Sequence, residues 1–284
     1  MRIYSHFIRP YMVWLAFFIV IPLVLIMFYA FTTEGNEVLA FRFTLNNFIR
    51  FFDPIFVRVL IKSMQIAFVT TIISIIIGYP IAYFISIANE KSQTLLILLV
   101  TMPMWINMLV RTYAWIGILA DYGLINTFLG WFNIGPLNMM YTDFAVTLGM
   151  VYNFLPFMIL SIYTVLAKMD KALIHASYDL GANRLQTFLK IVLPLSIPGI
   201  IAGITLVFLP AVSTFVIPKF LGGGNYVLIG NLIETQFITV GEWNFGSAIS
   251  LIMAMIIMLS MIAAKKFDKD VEEEKQLQSE VRSW

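Results

Sequence analysis

Residues 175–194 read HASYDLGANRLQTFLKIVLP. They lie between one charge-free run, Phe144–Ala167, and a second that starts at Ile191. A helix is expected to open just upstream, because Asp170 can accept hydrogen bonds from the free amides of a first turn. Leu173, Ala176 or Ser177, and Leu180 then share one face at helical spacing. Gly181 interrupts that helix, since glycine takes the left-handed conformation that ends one. Asn183 followed three residues later by Gln186 is a capping-box spacing, so a second helix starts there. Its expected apolar stripe is Leu185, Phe188, Leu189 and Val192. Pro194 is expected to bend the chain into the next apolar run. The pattern is helix, glycine break, helix, with small residues at Ala176 and Ser177 that allow another surface to approach closely. Physics alone leaves a second reading open, a connector lying on a membrane surface.

The rest of the 284-residue chain is 60% hydrophobic and 12% charged, which makes lipid its solvent. A crossing helix needs roughly 20 apolar residues. Spans are expected at about 11–31, 63–89, 93–119, 144–167, 195–218 and 243–264; only the third contains a charge, Arg111. They show no polar face, as a soluble core helix would. Backbone groups in lipid must be bonded within the segment, so the fold class is all-α with six transmembrane helices. The first run is expected to stay as an anchor rather than be cleaved, since it is long, contains Pro22 and lacks a small-residue cleavage site.

Direction follows from Lys and Arg. With the N-terminus inside, twelve of them fall in inner segments and five in outer ones, which places both termini in the cytoplasm. Residues 1–10 are then a cytoplasmic N-terminus, 11–264 a single membrane domain with an inner loop at 168–194, and 265–284 a charged tail. The loop Thr32–Ile61 is an outer segment in which FTLNNFIRFFD suggests a short amphipathic helix.

Several function classes are absent from the residues. The chain has no cysteine, which removes disulfides and thiolate chemistry, and no metal site is expected. There is no G-x-x-x-x-G-K-[ST] phosphate loop; Gly222, Gly223, Gly224 and Asn225 read as a turn. A proton-driven carrier would keep ionisable relays in its spans, and an always-charged arginine is a poor one. His6 and His175 lie outside the spans, so no enzyme site is assembled within them. The net charge of +2 gives no ground for a nucleic-acid partner. If the chain moves a solute against a gradient, the energy must come from another protein.

The 175–194 stretch resembles the inner-loop signature of ABC importer permeases: Glu-Ala-Ala, three residues, Gly, about nine residues, Ile-x-Leu-Pro. Ala176, Gly181, Ala182, Ile191, Leu193 and Pro194 match; His175 stands for the Glu and Ser177 for the second Ala. The stretches LPFMILSIYTVLAKMDKALIHASYDLGANRLQTFLKIVLPLSIPGIIAG and FLGGGNYVLIGNLIETQF are similar to permeases of the spermidine/putrescine branch, over about Tyr11–Ala264. The resemblance implies a type I importer permease of a bacterial cell membrane, non-catalytic, with ATP and Mg bound on a partner. The partners implied are a second permease subunit (PotC-type), a dimeric ABC ATPase (PotA-type), an extracytoplasmic solute-binding protein (PotD-type) and the lipid bilayer. His175, Ala176, Ser177, Asp179, Gly181, Ala182, Arg184 and Pro194 are then the ATPase-coupling loop, and His175 stands where the resemblance implies a Glu that makes a salt bridge.

A polyamine path calls for aromatic faces and entrance carboxylates. The third span supplies MPMWINMLVRTYAWIGILADYG, in which Asn107 and Arg111 share a face among Trp105, Tyr113, Trp115, Asp121 and Tyr122. An interfacial aromatic belt is the simpler reading of those rings. Expected outer acids are Glu34, Glu37, Asp53, Asp121, Asp143, Glu234 and Glu242, with Glu234 favoured for cation attraction. Where the resemblance implies an acidic residue before the LGG turn, the chain has Lys219. Lys219 either pairs with Glu234 or Asp121 to close the path, or marks an anionic cargo, for which Arg111 is also suited.

Overall fold

The computed structural model describes residues 10–33, 42–224 and 226–281, and side chains as far as 262 and at 266. Among the described residues the regular elements are helices. In order it forms α1 (Pro10–Ala30), α2 (Asn46–Phe51), α3 (Pro54–Ile87), α4 (Glu90–Thr101), α5 (Met108–Leu119), α6 (Leu124–Gly130) and α7 (Asp143–Ala167). There follow α8 (Lys171–Asp179), α9 (Arg184–Ser213), α10 (Val216–Leu221), α11 (Ile229–Glu234) and α12 (Trp243–Val281). Six stretches among the described residues are long and apolar enough to cross a membrane: α1, α3, Met108–Gly130, α7, α9 and Trp243–Ile262.

The residues fall into two compact units, one of Met1–Ile61 with Ile229–Met258, the other of Lys62–Leu228 with Leu259–Trp284. In the first, the end of α1 is closed by two asparagines. Asn244 donates to the carbonyls of Tyr29 and Thr32 at 3.0 and 2.8 Å, and Asn47 to those of Ala30 and Thr32 at 3.0 Å. Terminal helix carbonyls have no partner of their own, so these amides supply it. Arg50 of α2, on the short helix the sequence suggested, pairs with Glu242 at 2.5 Å and lies 4.2 Å from the Phe245 ring centre.

The second unit is built on α7 and α9, which pack through glycine. A Cβ at Gly199 would stand 3.0 Å from the Ser161 carbonyl, and one at Gly203 2.5 Å from the Met158 sulfur. Close backbone approach is what holds helices together where lipid removes the hydrophobic drive.

Three expectations are corrected. The third apolar run is not one helix over 93–119: α4 ends at Thr101, a 3-10 turn covers Met102–Trp105, and α5 starts at Met108. Pro103 cannot donate a backbone bond, and Asn107 caps the new helix by accepting from the Leu109 amide at 2.8 Å. The fifth run breaks at Thr214 before α10, because its helix ends at Ser213. Pro194 makes no break, since α9 runs through it. A π turn at Phe188–Val192, with the Leu193 amide bonded to the Phe188 carbonyl five residues back, precedes the proline and gives its ring room. Residues 1–9 and 34–41, with Arg2, His6, Arg9, Glu34 and Glu37, lie outside the described residues, as do Asn225 and the side chains of the tail from 267.

Candidate functional site

The helix–break–helix pattern forms as its residues dictate. Asp170 caps α8, accepting from the Ala172 amide at 2.9 Å. Gly181 takes φ +84°. The Ala182 amide bonds the Ser177 carbonyl at 3.0 Å and the Gly181 amide bonds that of Tyr178 at 2.9 Å, a Schellman closure. Asn183 and Gln186 form the reciprocal capping box at the start of α9. Two short helical segments are thus hinged at one glycine.

Their packing differs from the sequence expectation. Ser177 is not on an exposed small-residue face: it is 5% exposed, and its hydroxyl lies 2.8 Å from that of Thr187. A serine in place of the second alanine therefore ties α8 to α9 from within. Ala176 is exposed, as are His175, Asp179, Gly181 and Arg184, while Ala182 is half-buried. Leu173, Leu180, Leu185 and Leu189 all face outward, Leu180 at 89% exposure. The expected stripe of Leu185, Phe188, Leu189 and Val192 is thus split. From the start of α9 as far as Val207, the buried positions are Thr187, Val192, Ser196, Gly199, Gly203 and Val207. Their spacing is five, four, three, four and four, and the step of five is the π turn. Below α8 lies a cavity of about 380 Å3 whose lining includes Glu90, Gln93, Lys171 and His175.

Thr187 escaped the sequence reading, and Phe188 entered it only as part of an apolar stripe. Phe188 stands edge-on to both Tyr79 and Tyr83, with ring centres 5.7 and 5.6 Å away. The hydroxyl of buried Tyr79 lies 2.8 Å from that of Ser196. The step of five was the signal available in the sequence, visible only once Thr187 and Val192 are known to face the same way.

The path candidates separate into groups. Trp105 and Asn107 sit at the break before α5, both exposed, and Asn107 is a cap rather than a face partner of Arg111. Arg111 and Trp115 lie one turn apart on α5, with Trp115 edge-on to Tyr152 at 5.4 Å. The Nε and one terminal nitrogen of Arg111 are buried and find no acceptor among the described residues. Tyr113 packs on Phe220 at 5.0 Å, next to Lys219 of α10. Lys219 is exposed and joins Tyr141, Tyr226 and Gly222–Gly224 in lining a cavity of about 710 Å3. Asp121 is exposed in the turn after α5, and Glu234 ends α11, half-buried.

Three of the expected outer acids have other work. Asp53 caps α3, accepting from the Ile55 amide at 2.9 Å. Glu242 pairs with Arg50. Asp143 accepts from Lys62 and, at 2.7 Å, from the Tyr226 hydroxyl. Burial, then the bond and charge of Asp143, push the Tyr226 phenol well up, so it stays protonated and donates.

The sequence and the fold both resemble those of known proteins. The profile of the family described as binding-protein-dependent transport system inner membrane component matches residues 1–273. Over 266 residues the chain is 38% identical to the spermidine/putrescine transport system permease protein PotB of Escherichia coli (strain K12), covering 91% of this chain and 97% of that one. It is 40% identical over 266 residues to the protein of the same name from Haemophilus influenzae, covering 91% and 93%. A subunit in the crystal structure of a bacterial alginate ABC transporter with its pentasaccharide-bound periplasmic protein shares the fold, with TM-score 0.75 at 15% identity over 95% of this chain and 94% of that one.

Proposed function

We propose that this chain, which belongs to the family of binding-protein-dependent transport system inner membrane components and is a membrane-spanning, non-catalytic permease subunit of an ABC importer, forms half of a polyamine path and couples to a separate ATPase through α8 and the start of α9. One observation carries the coupling reading. A helix pair fixed internally by Gly181, Ser177 and Thr187 turns four leucines outward on a loop between spans. Apolar area exposed on a rigid element is ready to be covered by a partner. His175, Ala176, Asp179, Ala182 and Arg184 belong to that docking element, and Pro194 to the helix that leaves it.

The partners in this reading are a second permease subunit, a dimeric ATPase carrying ATP and Mg, and an extracytoplasmic binding protein. The membrane domain is 11–264, with the loop at 168–194 and both termini in the cytoplasm, as the Lys and Arg distribution supports. ATP binding biases two conformations of the spans by engaging the loop differently in each. The names of the relatives, spermidine/putrescine permeases, support a polyamine cargo. Arg111, with no acceptor among the described residues, favours the second reading, an anionic solute.

The test is uptake by the chain with its ATPase, second permease and binding protein in proteoliposomes. Spermidine or putrescine should compete where anionic solutes do not, and Glu234→Gln or Asp121→Asn should weaken uptake. Unchanged uptake in both variants counts against a cation path; transport by the chain alone without nucleotide ends the coupling reading.

A further inference from the structure

We infer that Phe188 is a positioning residue that passes displacement of the loop into the second span, α3. This rests on reading α8 and the start of α9 as the ATPase-docking element. Phe188 is the first residue of the π turn. A π turn takes one residue more than an α turn. At about 100° per residue, the extra one rotates the start of α9 relative to the body of the helix. That rotation turns Thr187 toward Ser177, and Phe188 toward α3.

There the ring meets Tyr79 and Tyr83 with interplanar angles of 88° and 79°, the edge-to-face arrangement aromatic pairs prefer. Tyr79 is also tied back to α9 through Ser196, so α9 grips α3 at two points. Between the two tyrosines stands Pro80, which cannot donate to the carbonyl of Ile76 and leaves α3 pliant at that level.

The surroundings are open. A groove of about 1020 Å3 is lined by Tyr83, Ile87, Tyr178, Arg184, Leu185 and Phe188. The cavity of about 380 Å3 under α8 also reaches Tyr83 and Ile87. Empty space transmits no displacement, whereas close-packed rings do. A push on the loop therefore reaches α3 through Phe188, while docking rests on the outward leucines.

The experiment compares wild type, Phe188→Ala, Phe188→Leu and Tyr83→Ala in the assembled importer. It measures ATPase retention on purification, ATP hydrolysis, and solute moved per ATP. Phe188→Ala and Tyr83→Ala should keep the ATPase and hydrolyse ATP, while solute per ATP falls about tenfold, within the 5–150-fold range of allosteric couplings. Phe188→Leu should recover part of it, and Phe188→Ala combined with Tyr83→Ala should be no worse than either single one. Unchanged solute per ATP overturns the inference and leaves the coupling loop standing. Loss of the ATPase in Phe188→Leu and Tyr83→Ala alike overturns it too, because Phe188 would then serve docking. Should Phe188→Ala not assemble, the other two variants decide in the same terms. Failure of the loop reading itself looks different: replacing Leu180 and Leu185 by serine would leave ATPase retention intact.

Discussion

Gly181 allows a prediction whose sign separates conformation from contact. Its φ of +84° lies in the left-handed region, and a Cβ built on it meets nothing within 4 Å. Gly181→Ala therefore introduces no clash, and its cost is backbone strain alone, about 1–2 kcal/mol. That shifts the balance between the hinged pair and alternative conformations by roughly 5–30-fold. Gly181→Val costs more, because a β-branched side chain is stiffer. Gly181→Asn, though larger than either, should stay close to wild type, since asparagine tolerates the left-handed conformation. The chain has no cysteine, so labels at 173 and 185 can report the loop geometry without background. The expected order, in label distance and in ATP-driven uptake, is Gly, Asn, Ala, Val. If Asn were as damaging as Val, bulk at the docking surface would be the cause, and the reasoning from backbone conformation would be refuted.

Three more outcomes follow from the geometry. Arg111→Met removes a guanidinium with buried, unsatisfied nitrogens, so thermal unfolding of the purified importer should show equal or greater stability; a loss of more than about 2 kcal/mol would mean the charge has a partner in the assembly. Asp143→Asn should lower stability by less than about 1 kcal/mol, because the Lys62 pair is partly solvent-exposed; a larger loss in denaturant titration would contradict that reading. Gly199→Leu puts side-chain atoms against the Ser161 carbonyl and the Ile162 Cα, so α7 and α9 must separate. It should cost about 1–3 kcal/mol, read as a lower midpoint for aggregation on heating.

Residues within a turn of each other were legible from the chain. The hinge at Gly181 and the caps at Asp170 and Asn183 appear where their side chains require, because a cap is decided by amides two or three positions away. The membrane class was legible for a related reason, since charge-free length is a local property. Partners distant in the chain were not legible. Asp143 and Glu242 were grouped with free outer acids, yet their cations stand 81 and 192 positions away.

What the sequence determined by itself is therefore the number of apolar spans and the hinge between two of them, both set by neighbours along the backbone. Only tertiary structure decided that Ser177 faces Thr187, that Pro194 continues a helix, and that Phe188 points at Tyr79 and Tyr83. One extra residue in the π turn sets those directions. Packing of α9 against α3 and α7 selects that turn, and no rule of helical spacing contains it.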